Sequence, residues 1–329
     1  MKTTKLISLV LSALLLIAAF VGCQPAQTPE ADVAPNVMVL NGTTGFGMAK
    51  LISDNKDGNA ALSYNITVET DASNITAALV SGSCDIAALP TNAAANLAKK
   101  TNGGIKVIAV NTLGVLYVMS NTETQSISSF EDLRGKTVYC PAQNPTFLFK
   151  AVCEANGLVV GTDIIIDNTY AQPADLRTAL VSGAVDLAVL PEPMVTIAKS
   201  GNASLTACLD LTKEWEKHYP ADSLMQGCVV ARTAFIDEHP EAVREFLKEY
   251  KASIEFVNQN PAEAGEMIAA AGIFAQAPVA TKAIPNSNIC YIDGAEMKAG
   301  LQKFYEILFA VAPAAIGNAL PSEDLYYVP

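Results

Sequence analysis

Two stretches decide the fold: ALVSGSCDIAALP at residues 78–90 and ALVSGAVDLAVLP at residues 179–191. They share nine of thirteen positions without a gap, at an offset of 101 residues. Each copy predicts a helix that ends at Ser-Gly, a tight turn, and a strand of the form Asp-aliphatic-Ala-x-Leu that a proline ends. The chain therefore contains an internal duplication of a helix–turn–strand unit.

The duplication extends outward from these stretches. VMVLN at 37–41 is matched by TVYCP at 137–141, and NITVET at 65–70 is matched by IIIDNT at 164–169. Such apolar, β-branched runs suit buried parallel strands, and helical stretches separate them. The sequence predicts two β-α-β-α-β units in tandem, each a three-layer α/β structure.

The pattern changes after the second copy. QGCVVA at 226–231 predicts another strand, and residues 240–260 carry a long apolar helical face between Pro240 and Pro261. Two further helices are predicted at about 262–271 and 295–311. This helical block has no counterpart in the first copy.

The N-terminus has the pattern of a secretory signal over residues 1–22. Lys2 and Lys5 precede an apolar run at 6–21, which is short for a spanning helix, and Gly22 and Cys23 follow. The stretch Phe20-Val21-Gly22-Cys23 resembles the bacterial lipobox, which implies lipidation of Cys23. Phe20 stands where the lipobox usually has an aliphatic residue, so a cleaved but unlipidated protein is the alternative. Residues 23–35 then form the lipidated cysteine and a flexible, proline-containing tether.

Composition excludes several classes of protein. The formal net charge of −12 and the pI near 4.6 argue against nucleic acid or an anionic membrane surface as a partner. Half of the residues are hydrophobic, which excludes a disordered chain. The six cysteines after Cys23 include no CxxC pair, so no zinc or thioredoxin-type site is indicated, and free thiols are favoured over disulfides.

The order of motifs resembles a known family. LNGTTGFGMAKLI (40–52), DIAALPTNAA (85–94), GKTVYCP (135–141), DLAVLPEP (186–193) and FIDEHPEAVREFLKEYKASIEFVNQNP (235–261) follow one another. The chain is similar to the substrate-binding proteins of nitrate/sulfonate/bicarbonate-type ABC importers, a group that includes binders of thiamine-pyrimidine precursors. PNSNICYIDGAEM (285–297) and IGNALPSEDLYY (316–327) resemble a clostridial-type branch of that group.

The resemblance implies an α/β chain with the type II periplasmic-binding-protein fold, whose two lobes enclose a ligand cleft. We expect hinge crossings near 117–121 and 224–229, which gives a discontinuous lobe one (36–118 plus 227–329) and a lobe two (119–226). The implied function is capture of a small molecule for an ABC permease and its ATPase by a monomer that a lipid holds on the outer face of the cell membrane. The resemblance implies neither an enzyme nor a cofactor.

Ligands of open α/β sheets bind beyond the carboxyl ends of the strands, where helices begin. The two first-strand loops therefore supply Asn41, Gly42, Thr43 and Thr44 from one copy and Gln143, Asn144 and Thr146 from the other. The third strands supply Thr91, Asn92 and Glu192, Tyr170 offers a ring or a hydroxyl, and Asn111 and Gln226 are expected on the cleft floor. The simpler interpretation of the glycines is a tight turn, and that of Thr43 and Thr44 is helix capping.

The charged residues of this pattern limit the choice of ligand. No Lys or Arg lies in the selected loops, which favours a neutral or singly charged ligand over a doubly charged anion. Asp85 and Asp186 precede their strands, at the end away from the predicted cleft, so a role in the turn is favoured over ligand binding.

Two other classes of function remain open. GTTGFG at 42–47 follows a strand, as a dinucleotide site would, with Glu69 as its ribose acid, but its spacing is G-x-x-G-x-G. No G-x-S-x-G, HExxH or Ser/His/Asp pattern is visible, so neither a catalytic residue nor a metal ligand is assigned. Some relatives act on pyrimidine precursors as enzymes. A surface sensor or adhesin with the same fold is the remaining alternative.

Overall fold

A computed structural model describes residues 33–329. The predicted signal segment, Cys23 and the tether up to residue 32 lie outside the described residues. Within residues 33–329, no helix is both long and apolar enough to cross a bilayer.

The strands, in chain order, are β1 (Asn36–Leu40), β2 (Asn65–Glu69), β3 (Ile86–Pro90), β4 (Ile105–Thr112), β5 (Leu116–Asn121), β6 (Thr137–Tyr139), β7 (Ile165–Asp167), β8 (Leu187–Pro191), β9 (Leu205–Asp210), β10 (Gly227–Arg232) and β11 (Ile289–Ile292). The helices are α1 (Thr43–Phe46), α2 (Ala49–Asp57), α3 (Ala72–Ser81), α4 (Thr91–Lys100), α5 (Asn144–Ala155), α6 (Pro173–Val181), α7 (Met194–Gly201), α8 (Leu211–Glu216), α9 (Thr233–Glu238), α10 (Pro240–Gln259), α11 (Pro261–Ala270), α12 (Ala277–Ala283) and α13 (Gly294–Val311). Short 3-10 turns lie at Phe130–Leu133, Ile284–Asn286, Pro313–Ile316 and Glu323–Leu325.

The strands form two sheets with the same internal order. The first sheet runs β11-β4-β10-β3-β1-β2, and the second runs β7-β6-β8-β5-β9. In the first sheet, β1 pairs in parallel with β2 and β3, and β10 runs antiparallel beside β3. In the second sheet, β6 pairs in parallel with β7 and β8, and β5 runs antiparallel beside β8. The duplication seen in the sequence is therefore a duplication of sheet topology.

The two copies of the repeat form the turn that the sequence predicts. Helix α3 ends at Ser81 and helix α6 at Val181, and Gly82 and Gly183 follow at φ 80° and φ 76°. Glycine adopts this left-handed backbone without the steric cost that a side chain would impose. The strands β3 and β8 then end at Pro90 and Pro191.

Apolar packing joins the two sheets along one flank. One core lies between the first sheet and helices α2, α10 and α11. A second core passes from the other face of that sheet into the second sheet, because α13 contacts both β4 and α5. Phe304 of α13 lies 6.1 Å from the buried ring of Trp215, measured between ring centroids. Helix α13 thus braces both halves of the molecule.

The sequence-based account needs two corrections. Residues 117–121, predicted as a crossing, belong to strand β5, which hydrogen-bonds to β8 and β9; the chain instead passes between the sheets at 113–115. The predicted lobe boundary after residue 118 falls inside that strand, and the division into separately moving lobes stays a prediction. Three helices rather than two follow α10, because the seven-residue α12 is too short to show a period.

Cysteine and aspartate residues have structural roles. The six cysteines from Cys84 to Cys290 are free thiols, and burial raises the pKa of Cys140 to about 12. Asp85 lies at the amino end of β3, where it accepts hydrogen bonds from the backbone N–H of Asn36 (2.9 Å) and from Arg232 Nη2 (2.6 Å). It ties β1 and β10 to β3 at the edge away from the crossings.

Candidate functional site

The two sheets face each other through the carboxyl ends of their parallel strands. Gly227 pairs with both Pro90 and Thr112 in the first sheet, and Leu116 pairs with Pro191 in the second. Four residue steps from Thr112 to Leu116 span at most about 14 Å. The carboxyl ends of the parallel strands in the two sheets therefore lie close together, and the first-strand and third-strand loops follow from these ends.

Side chains of the predicted site hold the two crossings together. Gln226 Oε1 accepts a hydrogen bond of 2.7 Å from the backbone N–H of Val115, and Thr91 Oγ1 donates one of 2.7 Å to the carbonyl of Met225. Both side chains are buried. Gln226 and Thr91 thus fix the path of the chain between the sheets.

Three further predicted residues also use their side chains within the protein. Asn111 Nδ2 donates to the carbonyl of Thr44 and to the hydroxyl of Tyr250, each at 3.0 Å. Thr146 Oγ1 donates to the carbonyl of Pro141 at 2.7 Å. Glu192 accepts from the backbone N–H and the hydroxyl of Thr196. These residues position the loops rather than offer free polar groups.

The remaining predicted residues differ in exposure. Asn41 and Gln143 are exposed, and Thr44, Asn92, Asn144 and Tyr170 are partly buried, whereas Thr43 is buried. Gly42 has φ 83°, and its N–H donates to the carbonyl of Ile273 at 3.2 Å. Asn92 and Gln143 line one groove, and the meeting of the other side chains at one cleft stays a prediction.

Two of these side chains contain buried atoms without a partner. Within residues 33–329, Asn92 Oδ1 and Asn144 Oδ1 are the buried side-chain polar atoms that make no hydrogen bond. Asn92 lies in the first turn of α4 and Asn144 is the first residue of α5. One unpaired oxygen thus belongs to each half of the molecule.

A groove of about 670 Å³ opens beside these residues. It runs between α3 and α4, and Asn92 of the first half and Gln143 of the second both line it. Its walls include the apolar side chains of Val80 and Leu97. The groove is large enough for a small organic molecule.

Two tyrosines at the carboxyl edge of the second sheet, Tyr139 and Tyr117, were not among the residues selected from the sequence, whereas Tyr170 was. The ring of Tyr139, the last residue of β6, lies 6.0 Å from the ring of Tyr170 between centroids. The hydroxyl of Tyr117 donates to the carbonyl of Asn286, which belongs to the other half, at 2.8 Å. An aromatic residue directly before the Cys140-Pro141 loop was the available signal for Tyr139.

Carboxylates lie at the ends of three strands. Glu69 and Asp167 end β2 and β7, and Glu192 follows β8. Burial raises the pKa of Glu192, although hydrogen bonds from Thr196 oppose the shift. Burial, with the negative charges of Asp210 and Glu192, also raises the pKa of Tyr117, so its hydroxyl is protonated at neutral pH.

The glycines of GTTGFG serve packing. A Cβ on Gly45 would lie 2.5 Å from the carbonyl oxygen of Leu40, and one on Gly47 would lie 2.7 Å from Ile254 Cγ1. These glycines allow α10 and β1 to approach the loop, and their spacing is not that of a dinucleotide cradle. No group of three His, Cys, Asp or Glu side chains suited to a metal occurs within residues 33–329.

Comparison with known proteins identifies a family and a fold. A family model described as NMT1/THI5 like matches residues 59–264. An ABC transporter structure from Parabacteroides distasonis is 24% identical with a TM-score of 0.76, covering 90% of this chain and 99% of that one. Comparison with curated protein sequences gave no match.

Two other solved structures are similar at lower identity. The periplasmic aliphatic sulphonate binding protein of Escherichia coli is 15% identical with a TM-score of 0.70, covering 90% of this chain and 92% of that one. The ligand binding component of an ABC-type import system from Staphylococcus aureus, with zinc bound, is 16% identical with a TM-score of 0.67, covering 90% and 95%. These likenesses confirm the predicted α/β periplasmic-binding-protein fold. The clostridial-type branch stays a prediction.

Proposed function

The chain belongs to the NMT1/THI5-like family, and from this membership we propose that it is the extracytoplasmic substrate-binding component of an ABC importer. It captures a small neutral or singly charged solute between two lobes and delivers it to the permease, which an ATPase drives. What supports the proposal is the topology: two sheets of the same strand order are joined by short crossings at the carboxyl ends of their parallel strands, and the loops that follow those ends carry the polar side chains of Thr44, Asn92, Asn144 and Tyr170.

Ligand binding and lobe closure are coupled in this mechanism. A ligand favours the closed form only through contacts that it makes with both lobes. The two crossings are the expected hinge, and the hydrogen bond from the backbone N–H of Val115 to Gln226 Oε1 joins them. Contact between α12 and α7 and the hydrogen bond from Tyr117 to Asn286 also join the two halves.

Export and anchoring complete the proposal. The signal pattern at 1–22 directs the chain out of the cytoplasm, and lipid on Cys23 holds a monomeric, acidic body at the outer face of the membrane. The protein acts by binding and not by catalysis: its cleft side chains are amides, hydroxyls and rings, and its buried carboxylate, Glu192, already accepts from Thr196.

A binding experiment tests the proposal. A thermal-shift screen over sulfonates, nitrate, pyrimidines, amino acids, amides, amidines and aromatic acids finds compounds that bind, since a ligand at 100 times its dissociation constant adds about 2.7 kcal/mol to stability. Thr44→Trp and Asn144→Trp should each block the cleft from one side and abolish that shift, with circular dichroism confirming that both fold. Two folded variants that bind as tightly as the unsubstituted protein would place the ligand elsewhere and overturn the proposal.

A further inference from the structure

The two copies of the repeat differ at the amino ends of their strands. In the first sheet, β1 and β3 pair at three positions, and the N–H of Asp85 donates to the carbonyl of Asn36 at 2.8 Å. In the second sheet, the equivalent strands β6 and β8 pair at a single position, Tyr139 with Ala188. Strands β6 and β8 therefore separate towards their amino ends, which leaves a gap that the first sheet does not have.

Hydrogen bonds of equal length show which residues of the two copies correspond. The N–H of Ile165 donates to the carbonyl of Lys136 at 3.0 Å, and the equivalent bond from β2 to the residue before β1 has the same length. The N–H of Asn121 donates to the carbonyl of Asp186 at 2.9 Å, and Arg232 makes the equivalent bond in the first sheet, also at 2.9 Å. The corresponding pairs are therefore Asn36 and Thr137, Asp85 and Asp186, and Arg232 and Asn121.

Side chains close this place in the first copy. The carboxylate of Asp85 accepts from Asn36 and, at 2.6 Å, from Nη2 of Arg232. In the second copy, the carboxylate of Asp186 makes no hydrogen bond or ion pair with any residue from 33 to 329, and Asn121 stands in the place of the arginine. The second copy thus retains the acceptor and lacks the guanidinium.

The backbone of Thr137 directs two further groups into the gap. Successive residues of a parallel strand direct their N–H and C=O groups to opposite neighbours, and Lys136 bonds to Ile165 of β7. The N–H and C=O of Thr137 therefore point towards β8, with which they make no hydrogen bond in the described part of the chain. In the first copy, both backbone groups of Asn36 bond to Asp85. The gap thus offers a carbonyl acceptor and an N–H donor besides the carboxylate.

A cavity of about 290 Å³ lies in this gap. Thr137 and Tyr139 line it from β6, and Asp186 lines it from the turn before β8. Lys136 also lines it, but its Nζ donates to Gln125 Oε1, at 2.9 Å, rather than to Asp186. The volume is at the lower end of the range of small-molecule sites. Because the whole length of β8 separates the cavity from the predicted cleft, the two lie about 13 Å apart.

We propose that this gap is a second binding site, separate from the cleft, which takes the guanidinium group of a small organic molecule. The guanidinium donates to the carboxylate of Asp186, as Arg232 does to Asp85 in the first copy, and a further N–H donates to the carbonyl of Thr137. Its planar fork matches a carboxylate better than an ammonium does, and the ring of Tyr139 attracts cations. The bound molecule thus completes the tie between strands that the first sheet makes with its own arginine.

Two amino acids of the same length test the chemistry of the site. L-Arginine bears a guanidinium, whereas L-citrulline bears a neutral urea group of nearly the same shape. In isothermal titration calorimetry L-arginine should bind, and L-citrulline should bind roughly tenfold more weakly, because a hydrogen bond to a carboxylate is stronger when the donor is also charged. No binding of L-arginine, or equal binding of the two, overturns the inference.

Substitutions in the second copy test the assigned residues. Asp186→Asn should weaken L-arginine binding about ten- to hundredfold, the loss of a hydrogen bond between charged groups. Asn121→Arg should abolish binding, because the introduced guanidinium occupies the site from within the chain. Asn121→Ala is its matched control and should bind L-arginine as the unsubstituted protein does. Full binding by Asp186→Asn, or equal binding by the two variants of Asn121, contradicts the assignment.

The same titrations separate this inference from the proposed function. Thr44→Trp and Asn144→Trp leave the second site intact, so both should bind L-arginine as the unsubstituted protein does. If they lose this binding while Asp186→Asn retains it, L-arginine binds in the cleft, and the inference fails while the proposed function stands. If Asp186→Asn alone loses it, the inference holds, and the other compounds of the screen decide the proposed function. Circular dichroism of every variant excludes misfolding as the cause of lost binding.

Discussion

Replacement of Asp85 by Ala should destabilise the fold strongly. Asp85 Oδ1 pairs with Arg232 Nη2 at 2.6 Å, and Oδ2 accepts from the backbone N–H and the Nδ2 of Asn36 at 2.9 and 3.0 Å. Removal of the carboxylate leaves Arg232 without its ion-pair partner, although its Nε still donates to the carbonyl of Cys84, and leaves the Asn36 donors unsatisfied. Three strands, β1, β3 and β10, lose their common attachment at this edge.

The magnitude follows from the burial of the pair. Loss of one partner of a buried ion pair costs about 3–5 kcal/mol. Because the side chain of Arg232 keeps 23% of its exposure, water can recover part of this loss, and we expect about 3 kcal/mol. At about 2.1 cal/mol/K of unfolding entropy per residue, that corresponds to a fall in melting temperature of roughly 5 °C for a protein of this size.

The second copy of the repeat provides a matched control. Asp186 occupies the position of Asp85 in the duplicated stretch, but no side-chain hydrogen bond or ion pair of Asp186 is found within the described part of the chain. Asp186→Ala should therefore change the free energy of unfolding by less than about 0.5 kcal/mol. Urea unfolding followed by far-UV circular dichroism compares the two variants. Equal destabilisation of both, or of neither, would refute the reasoning.

Three further outcomes follow from the sequence and the structure. Hydrogen bonds from Ser128 and Ser129 lower the pKa of Asp132 to about 2. The stability that they provide is present above pH 4 and is lost as the pH falls towards 2, so Asp132→Asn should reduce the pH dependence of the free energy of unfolding in that range. An unchanged pH dependence would contradict this prediction. A Cβ on Gly114 would lie 2.1 Å from Thr212 Oγ1 and 2.6 Å from Leu224 Cδ2. Gly114→Ala should therefore lower the free energy of unfolding, measured in urea, by about 1–3 kcal/mol. A change near zero would show that the chain at the crossings can shift to accept a methyl group. Cys23→Ala should release the protein from membranes in fractionation, and a variant that still sediments with membranes in high salt would argue against the lipid anchor.

The duplication made the layout of the two sheets predictable. Both copies place a left-handed glycine after the helix, at Gly82 and Gly183, and both strands end in proline. These are local rules of backbone geometry, so the sequence alone predicts them. From the duplication we could also predict where the strands end and the helices begin, and therefore which loops contain Asn92 and Asn144.

Features that depend on long-range contacts could not be predicted in the same way. Residues 117–121 form a strand rather than a crossing because β8 and β9 provide partners on both sides. Nothing in the sequence distinguishes the amides of Gln226 and Asn111, or the carboxylate of Glu192, from other such groups. Only the fold shows that Gln226 bonds to Val115, Asn111 to Thr44 and Glu192 to Thr196. For the same reason the absence of a partner for Asn92 and Asn144 has no signature in the sequence.

Capture of a solute between two lobes is tested most directly by small-angle X-ray scattering. The measurement compares the protein with and without the compound that raises its melting temperature most, at saturation, alongside Asn144→Trp. A fall in the radius of gyration on addition of the compound, absent in Asn144→Trp, is the predicted result. An unchanged radius in the unsubstituted protein, or an equal fall in both, would contradict closure of the lobes around a ligand in this cleft.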